Sequence, residues 1–159
     1  MECYGRAIER LAIAYEANAD ARRDLLQDIH LQIWRSFNQF DQRCSLRTWT
    51  YRVAHNVAAS HIIRQVKLRR SLVSLEEMDN LPHSSDSEIQ TSEQVALGQL
   101  HQLIQRLKPI DRQVILSYLE GFDAATTAEI TGLSPANVAM KIHRIKSLLK
   151  RWFHEGESR

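Results

Sequence analysis

The Arg and Lys side chains of this chain are concentrated in two stretches that contain no acidic residue. Residues 42–70 contain seven Lys or Arg and no Asp or Glu. Residues 134–151 contain five Lys or Arg and, again, no Asp or Glu. Residues 71–94, between them, hold six Asp or Glu and no Lys or Arg. Cations without neighbouring carboxylates suit the phosphates of a nucleic acid. The pattern predicts two surfaces for a polyanion joined by an acidic spacer; the alternative is that each stretch is a solvated helix face.

Other kinds of chemistry have no comparable pattern. Cys3 and Cys44 are the only cysteines and lie in no CxxC or Cys/His spacing, so reduced, structurally incidental thiols are expected. The seven histidines form no HExxH motif. We therefore expect no metal site, no cofactor and no catalytic activity. The apolar runs are much shorter than the roughly 20 residues of a membrane helix, and no signal segment opens the chain, which predicts a cytoplasmic protein without membrane contact.

The second basic stretch lies in a helix-turn-helix pattern. Asp123 is a suitable N-cap for a short helix that ends at Gly132, because glycine accepts the left-handed turn conformation. Ser134 and Pro135 then provide an N-cap and an N1 proline for a second helix. Ala128 is small at the position where the two helices must cross. This spacing is typical of a motif whose second helix enters the major groove of DNA.

On the second helix Val138, Ile142, Ile145 and Leu149 form the stripe predicted to be buried. The adjoining face is polar. Asn and Arg near the start of such a helix suit base edges, whereas later Lys and Arg suit phosphates. The alternative is an ordinary helical hairpin with a polar exterior. The residues predicted to contact DNA are Asn137, Lys141, Arg144, Ser147 and Arg151.

The rest of the chain predicts an all-α protein with two small helical domains joined by a flexible linker. Residues 1–70 contain three apolar stripes of helical spacing, residues 71–94 form the linker, and residues 95–159 contain the helix-turn-helix. The linker includes Pro82 and a Ser-rich run. Asp20 is the predicted N-cap of the second helix. The predicted stripes are Tyr4, Ile8, Leu11 and Tyr15; Leu25 or Leu26, Ile29, Ile33 and Phe37; Leu46, Trp49, Val53 and Val57; Leu97, Leu100, Ile104 and Leu107; and, from Pro109 to Gly121, Val114, Ile115 and Leu119.

Three segments resemble, in order, conserved regions of bacterial RNA polymerase sigma factors. Residues 24–41, DLLQDIHLQIWRSFNQFD, and residues 45–58, SLRTWTYRVAHNVA, resemble sigma region 2. Residues 107–115, LKPIDRQVI, resemble the opening of region 4, which the helix-turn-helix completes. Regions 2 and 4 joined directly by a short linker are typical of the extracytoplasmic-function group of the sigma-70 superfamily.

The resemblance implies a set of partners. Such factors bind core RNA polymerase, through a coiled coil of its largest subunit and the flap of its second-largest subunit. They also bind promoter DNA and are usually restrained by an anti-sigma factor. Short acids and an amide beside an aromatic suit a polar-rimmed anchor site, although the two acids also favour a helix N-terminus. The residues that match the core-binding positions are Asp24, Gln27, Asp28, Leu31 and Trp34.

The resemblance also implies that the loop from Phe37 to Ser45 and the following helix capture the non-template strand of the minus-ten element. Strand capture needs cations for the backbone and aromatic groups or a pocket for a base. Trp49 lies on the apolar stripe as well, so it is a candidate both for the core and for DNA contact. The candidate residues are Arg43, Arg47, Trp49, Tyr51, Arg52, Asn56 and Arg64. By the same resemblance, the second basic helix reads the minus-35 element.

Two other functions remain open on the sequence alone. A helix-turn-helix regulator could bind DNA without polymerase, but it does not explain the segment from Asp24 to Asp41 or the first basic stretch. A helical adaptor or decoy protein would not need two acid-free cationic surfaces. Binding to core polymerase separates the sigma-factor hypothesis from both.

Overall fold

The computed structural model describes residues 2–73 and 91–157, and these ranges contain seven α-helices and no strand. The all-α architecture predicted from the sequence is confirmed. A short 3-10 helix, Phe37–Gln39, follows the second α-helix. The α-helices are α1 (Glu2–Tyr15), α2 (Ala19–Ser36), α3 (Leu46–Val73), α4 (Ser92–Gln105), α5 (Pro109–Leu119), α6 (Ala124–Thr131) and α7 (Pro135–Glu157).

In the N-terminal half, α1, α2 and α3 pack against one another around the predicted apolar stripes, except that Phe37 and Leu46 are exposed. Leu25 and Ile29 of α2 are fully buried, and α1 contributes Ile8 and Leu11. Burying a side chain of this size stabilises the fold by roughly 1.5 to 3 kcal/mol. The predicted N-cap Asp20 is wrong. Asn18 caps α2, because its Oδ1 accepts the backbone N–H groups of Asp20 and Ala21, at 3.0 and 2.9 Å.

In the C-terminal half, the helix boundaries follow the predicted capping residues. Asp123 accepts the backbone N–H of Thr126 at 2.7 Å, which caps α6. Hydrogen bonds from the Thr126 side chain and then from its backbone N–H lower the pKa of the Asp123 carboxyl group. Gly132 ends α6 with a φ of 75°, in the left-handed region that glycine adopts without strain. Ser134 accepts the N–H of Asn137 at 3.2 Å, and Pro135 begins α7. The helix-turn-helix is therefore formed as the sequence predicts.

The ends of the predicted linker belong to helices. Helix α3 continues to Val73, and α4 begins at Ser92 after Thr91, which forms a capping box with Gln94. Residues 74–90, the remainder of the predicted linker, lie outside the described residues. On α4, Leu97 is 51% exposed, so the predicted apolar stripe is buried only from Leu100 onward.

The two halves of the chain pack against each other and share one continuous core. Helix α3 contacts α5 and α6, and α1 contacts α4. Polar side chains of the C-terminal half donate to backbone carbonyls of the N-terminal half: Gln105 to Ile13 at 2.9 Å, and Arg112 to Tyr15 at 3.4 Å. The sequence contains no local signal for this interface, because the residues that these two hydrogen bonds join are 92 and 97 positions apart.

His55 of α3 is fully buried where the two halves meet. Its Nδ1 lies 3.1 Å from the hydroxyl of Tyr15, and Gln113 donates to its backbone carbonyl at 3.4 Å. Burial disfavours the charged imidazolium, which lowers the pKa of His55 from 6.5 to about 3. The folded protein therefore holds His55 neutral at any pH above about 3.

Acidification is expected to destabilise the fold through His55. Below pH 6.5 the unfolded chain protonates this histidine and the folded chain does not, so unfolding takes up a proton and stability falls as pH falls toward about 3. We expect the free energy of unfolding to drop by about 2 kcal/mol from pH 7 to pH 5. Urea titrations of the wild-type chain and of His55→Asn check this. The free energy of unfolding of the variant should fall less with acidification than that of the wild-type chain. An equal fall in both proteins would show that His55 does not cause the pH dependence.

Candidate nucleic-acid interface

Helix α7 presents a polar face to solvent and an apolar face to α5 and α6. Val138 and Ile145 are buried, whereas Asn137, three residues from the start of the helix, is exposed. Arg144 lies two turns further along the same face, with its side chain 70% exposed. Within the described residues of α7 the first acid is Glu155, beyond the second basic stretch. An exposed helix face with cations and no acid before Glu155 suits the major groove of DNA.

The side chains of α7 predicted to contact DNA differ in their exposure and in their bonds to other residues of the chain. Lys141 donates to Asp111 of α5 at 2.6 Å, and only 22% of its side chain is exposed, so its charge is partly neutralised. Arg144 lies 3.9 Å from the same carboxylate. The hydroxyl of Ser147 donates to the carbonyl of His143 at 3.1 Å, and Arg151 lies 3.9 Å from Glu155. Asn137 and Arg144 are exposed and lie nearest the start of α7, which places them best to reach a base edge, whereas Arg151 is as free as Arg144 but lies two turns further along.

Met140 is a candidate contact that the sequence analysis did not single out. It is 69% exposed and lies three residues after Asn137 and four before Arg144, in the middle of the same face. An apolar side chain at that place suits the C5 methyl group of thymine. Its helical spacing from Asn137 and Arg144 is visible in the sequence, but an apolar residue gives no charge or hydrogen-bonding signal for DNA contact.

A groove of about 600 Å³ lies between α2 and α3 and contains several predicted minus-ten contacts. Asn56 and Arg64 of α3 form one wall, and Arg35 and Gln39 come from the other side. Asn56 is exposed and Arg52, one turn earlier, is partly exposed. Arg64 forms a 3.3 Å ion pair with Asp28 across the groove, and both side chains are about half exposed. Arg43, on the loop, is 87% exposed and forms a 3.0 Å ion pair with Asp41.

The aromatic residues predicted to stack on bases lie in the core in this arrangement. Trp49 is 5% exposed and Tyr51 is 2% exposed, so neither offers a ring face to a base. For Trp49 the core placement is the one observed, with only its edge at the floor of the groove. Phe37 packs edge-on against Trp49, with a centroid distance of 6.1 Å, and is 53% exposed. Phe37 was predicted to lie on a core stripe, but its ring is exposed and lines another pocket with His30 and Leu46, not the groove.

Arg47, another predicted minus-ten contact, is bound to the C-terminal half. Its guanidinium group donates to the backbone carbonyl of Glu120 at 2.6 Å and lies over the ring of Phe122, 4.3 Å from its centroid. The ring of Tyr51 packs against the same phenylalanine with a centroid distance of 4.9 Å. Arg47 and Tyr51 therefore stabilise the contact between the two halves and are not available to DNA in this arrangement.

The predicted core-binding residues lie along the exposed face of α2. Trp34 is 72% exposed and Leu31 is 45% exposed, which is unusual for side chains of this size. Asp24, Gln27 and Asp28 are exposed on the preceding turns. The face thus combines an apolar centre with an acidic rim, the composition of a protein-binding site.

Across residues 2–73 and 91–157, no group of three or more His, Cys, Asp or Glu could hold a metal ion. Within the same ranges, no helix is both long and apolar enough to span a bilayer.

The chain matches two protein families. Residues 1–67 match the family described as Sigma-70 region 2, and residues 97–149 match the family described as Sigma-70, region 4. Among curated proteins, it is 23% identical over 150 residues to the RNA polymerase sigma factor NccH of Alcaligenes xylosoxydans xylosoxydans, a match covering 92% of this chain and 80% of NccH. It is 23% identical to the ECF RNA polymerase sigma factor SigX of Bacillus subtilis (strain 168), covering 80% and 68% of the two chains.

Two solved structures have a similar fold. The sigma factor RpoE, in a co-crystal structure with the anti-sigma factor NepR from Bartonella quintana, superposes with a TM-score of 0.73 at 17% identity, covering 96% of this chain and 92% of RpoE. CnrH, in complex with the cytosolic domain of CnrY, superposes with a TM-score of 0.66 at 19% identity, covering 97% and 84% of the two chains.

Proposed function

This chain belongs to the extracytoplasmic-function group of sigma-70 RNA polymerase sigma factors, and we propose that it binds core polymerase through α2, captures an opened promoter strand between α2 and α3, and reads duplex DNA with α7. Sigma factors are non-enzymatic proteins that direct RNA polymerase in transcription initiation. The proposal assigns each of those steps to a surface of this chain. It also places the protein in the cytoplasm, where its polymerase acts.

The observation that carries the proposal is the exposed Trp34 with its acidic rim. A regulator that bound DNA alone would have no use for a 72% exposed tryptophan 100 residues before its recognition helix. Aromatic residues at the centre of an interface supply much of its binding energy, and polar neighbours exclude water around them. We assign Trp34 and Leu31 as the anchor, with Asp24, Gln27 and Asp28 as the rim. The partner surface is the coiled coil of the largest polymerase subunit.

Binding to core polymerase tests the proposal against a helix-turn-helix regulator. The purified chain, mixed with bacterial core enzyme, is expected to co-elute with it in size-exclusion chromatography and to displace a fluorescently labelled known sigma factor. A correctly folded chain that neither co-elutes with core enzyme nor displaces the labelled sigma factor would favour a helix-turn-helix regulator.

The proposal divides the two basic stretches between duplex and opened DNA. Helix α7 fits an intact major groove and is assigned to the minus-35 element. The groove between α2 and α3 has the cations Arg35 and Arg64 on its walls, which suits the backbone of an unstacked strand. We assign Arg43, Arg52, Asn56 and Arg64 to the strand.

Replacing Arg52 and Asn56 together with Ala is expected to reduce promoter opening while sparing closed-complex formation. These side chains would contact the strand only after it separates, so the duplex contacts of α7 remain. Permanganate reactivity of unpaired thymines should fall, and a pre-melted bubble template should restore much of the signal. Arg6→Ala, an exposed cation on α1, is the control. An equal loss of closed and open complexes in the double variant would contradict the division between duplex binding by α7 and strand binding by the groove.

The fold neighbours support one more partner. RpoE was solved with the anti-sigma factor NepR, and CnrH with the cytosolic domain of CnrY. We propose that this chain is also restrained by an anti-sigma factor, and that its C-terminal half contacts the flap of the second-largest polymerase subunit.

A further inference from the structure

A carboxylate of α5 reaches the face of α7 that is proposed to read duplex DNA. Asp111, in the first turn of α5, has a side chain that is only 15% exposed. It accepts a hydrogen bond from the ammonium group of Lys141 at 2.6 Å and lies 3.9 Å from the guanidinium group of Arg144. Within the described residues, α7 has no acid before Glu155, so Asp111 brings to this face a negative charge that α7 does not supply.

The position of Asp111 is fixed by the next residue, Arg112. Arg112 is 5% exposed, and its guanidinium group donates to the backbone carbonyls of Gln105 and Leu107. These bonds tie the first turn of α5 to the end of α4. Because α5 also packs against α7, the carboxylate of Asp111 is presented to α7 from a firmly anchored turn.

The pair between Asp111 and Lys141 changes what α7 offers to DNA. An acid in the first turn of a helix also stabilises that helix through the helix dipole, but this effect needs no cationic partner. Here the ammonium group is held against the carboxylate, and only 22% of the Lys141 side chain is exposed. An ammonium group bound in this way is not available to a phosphate, and the pair carries no net charge. The Arg144 side chain, at 70% exposed, stays accessible.

We propose that Asp111 is a specificity-determining residue, which acts by holding Lys141 away from the phosphates of the DNA. The inference rests on the proposed function, because it concerns α7 as the reader of the minus-35 element. Phosphate contacts add affinity on any sequence, whereas contacts to base edges distinguish sequences. At the minus-35 element, base contacts by Asn137 and Arg144 fix the position of α7. On other sequences α7 is free to shift until an unpaired Lys141 meets a phosphate, so the pair with Asp111 weakens binding to wrong sites most.

Asp111→Asn tests the proposal, because it removes the charge and keeps the shape of the side chain. The probes are a promoter fragment recovered by chain-dependent transcription and the same fragment with a scrambled minus-35 element. Holoenzyme with the variant should bind the scrambled fragment about threefold more tightly, the effect of one additional exposed ion pair. The salt slope of that binding should steepen by about 0.9, as one more phosphate contact requires. The preference for the intact element should fall by about twofold or more, and mobility shifts at several salt concentrations measure all three quantities.

Two further variants show whether the effect passes through Lys141. Glu129→Gln removes an exposed acid from α6, in the same helix-turn-helix, and should leave the affinity for the scrambled fragment nearly unchanged. Lys141→Ala combined with Asp111→Asn removes both members of the pair, and the gain seen with Asp111→Asn alone should disappear. A gain that persists in the double variant, or that Glu129→Gln reproduces, would overturn the proposed action through Lys141.

The remaining outcomes separate this inference from the proposed function. Unfolding by heat reports whether Asp111→Asn remains folded, and Asp111→Ser, whose side chain also suits the start of a helix, should give the same binding result. Unchanged binding of both fragments by these variants, when wild-type holoenzyme prefers the intact element, would overturn the role of Asp111 and leave the proposed function standing. Tighter binding of both fragments by the same factor would also overturn the specificity role. If wild-type holoenzyme shows no preference for the minus-35 element, the proposed function of α7 fails and the inference fails with it.

Discussion

Trp34→Ala is expected to weaken the affinity of this chain for core RNA polymerase by about 30-fold or more, the effect of losing an interface hot spot. The side chain is 72% exposed on α2 and contributes little to the core of the free protein. Its loss should therefore leave the helical circular dichroism and the free energy of unfolding almost unchanged. A competition assay against a labelled sigma factor measures the affinity.

Charge reversal on the rim tests the same surface independently. The double variant Asp24→Arg and Asp28→Arg should also reduce core binding, with a larger effect at low ionic strength, because rim charges act over distances that salt screens. Asp28 also pairs with Arg64 at 3.3 Å, so the single variant Asp24→Arg separates the two contributions. Glu9→Arg, an exposed acid on α1, is the matched control. Wild-type affinity in both Trp34→Ala and the double reversal would show that polymerase does not bind this face.

Arg144→Ala is expected to cost about 1 to 3 kcal/mol of duplex binding at the minus-35 element if its guanidinium reads a base, and to relax the preference at that base pair. Arg144 has only a distant acidic neighbour, at 3.9 Å, so little intramolecular energy is lost. Lys141→Ala should have a smaller effect, because Asp111 already holds that ammonium group at 2.6 Å. Electrophoretic mobility shifts of holoenzyme on a promoter that depends on minus-35 contacts measure both.

Salt dependence and a control cation make this result specific. A phosphate contact would lower the salt slope by about one and leave the sequence preference intact, whereas a base contact would change the preference. Lys146 lies on another face of α7, where its ammonium group packs on the ring of Tyr118 at 5.1 Å. Lys146→Ala should therefore retain the sequence preference. A loss in Lys146→Ala equal to that in Arg144→Ala would argue against reading by the predicted face.

The features that could be predicted from the sequence are those set by local interactions. Asp123, Gly132 and Pro135 determine the ends of α6 and α7 through capping and backbone conformation, which involve neighbours a few residues away. The N-cap of α2 was missed for a related reason. Asn18 and Asp20 both suit such a cap, and only the backbone geometry decides between them.

The contact between the two halves could not be predicted, because it joins residues that are far apart in sequence. Arg10 and Glu120 are 110 residues apart, and Arg47 and Glu120 are 73 apart. Arg10 and Glu120 belong to no pattern in their own segments, and Arg47 was predicted to contact the minus-ten strand. In the fold Tyr51 is buried, and the Arg47 guanidinium donates to the carbonyl of Glu120. Residue type alone predicts a strand site here, but tertiary packing decides which of these groups are accessible.

Run-off transcription with core polymerase tests the central claim most directly. The wild-type chain and core enzyme are incubated with a library of promoter fragments, and the transcripts are sequenced. The account predicts transcripts that share a minus-35 and a minus-ten element, that require the chain, and that are lost with Trp34→Ala and reduced with Arg144→Ala. A chain that binds duplex DNA in the same preparation but yields no chain-dependent transcript would contradict the assignment of this protein as a sigma factor.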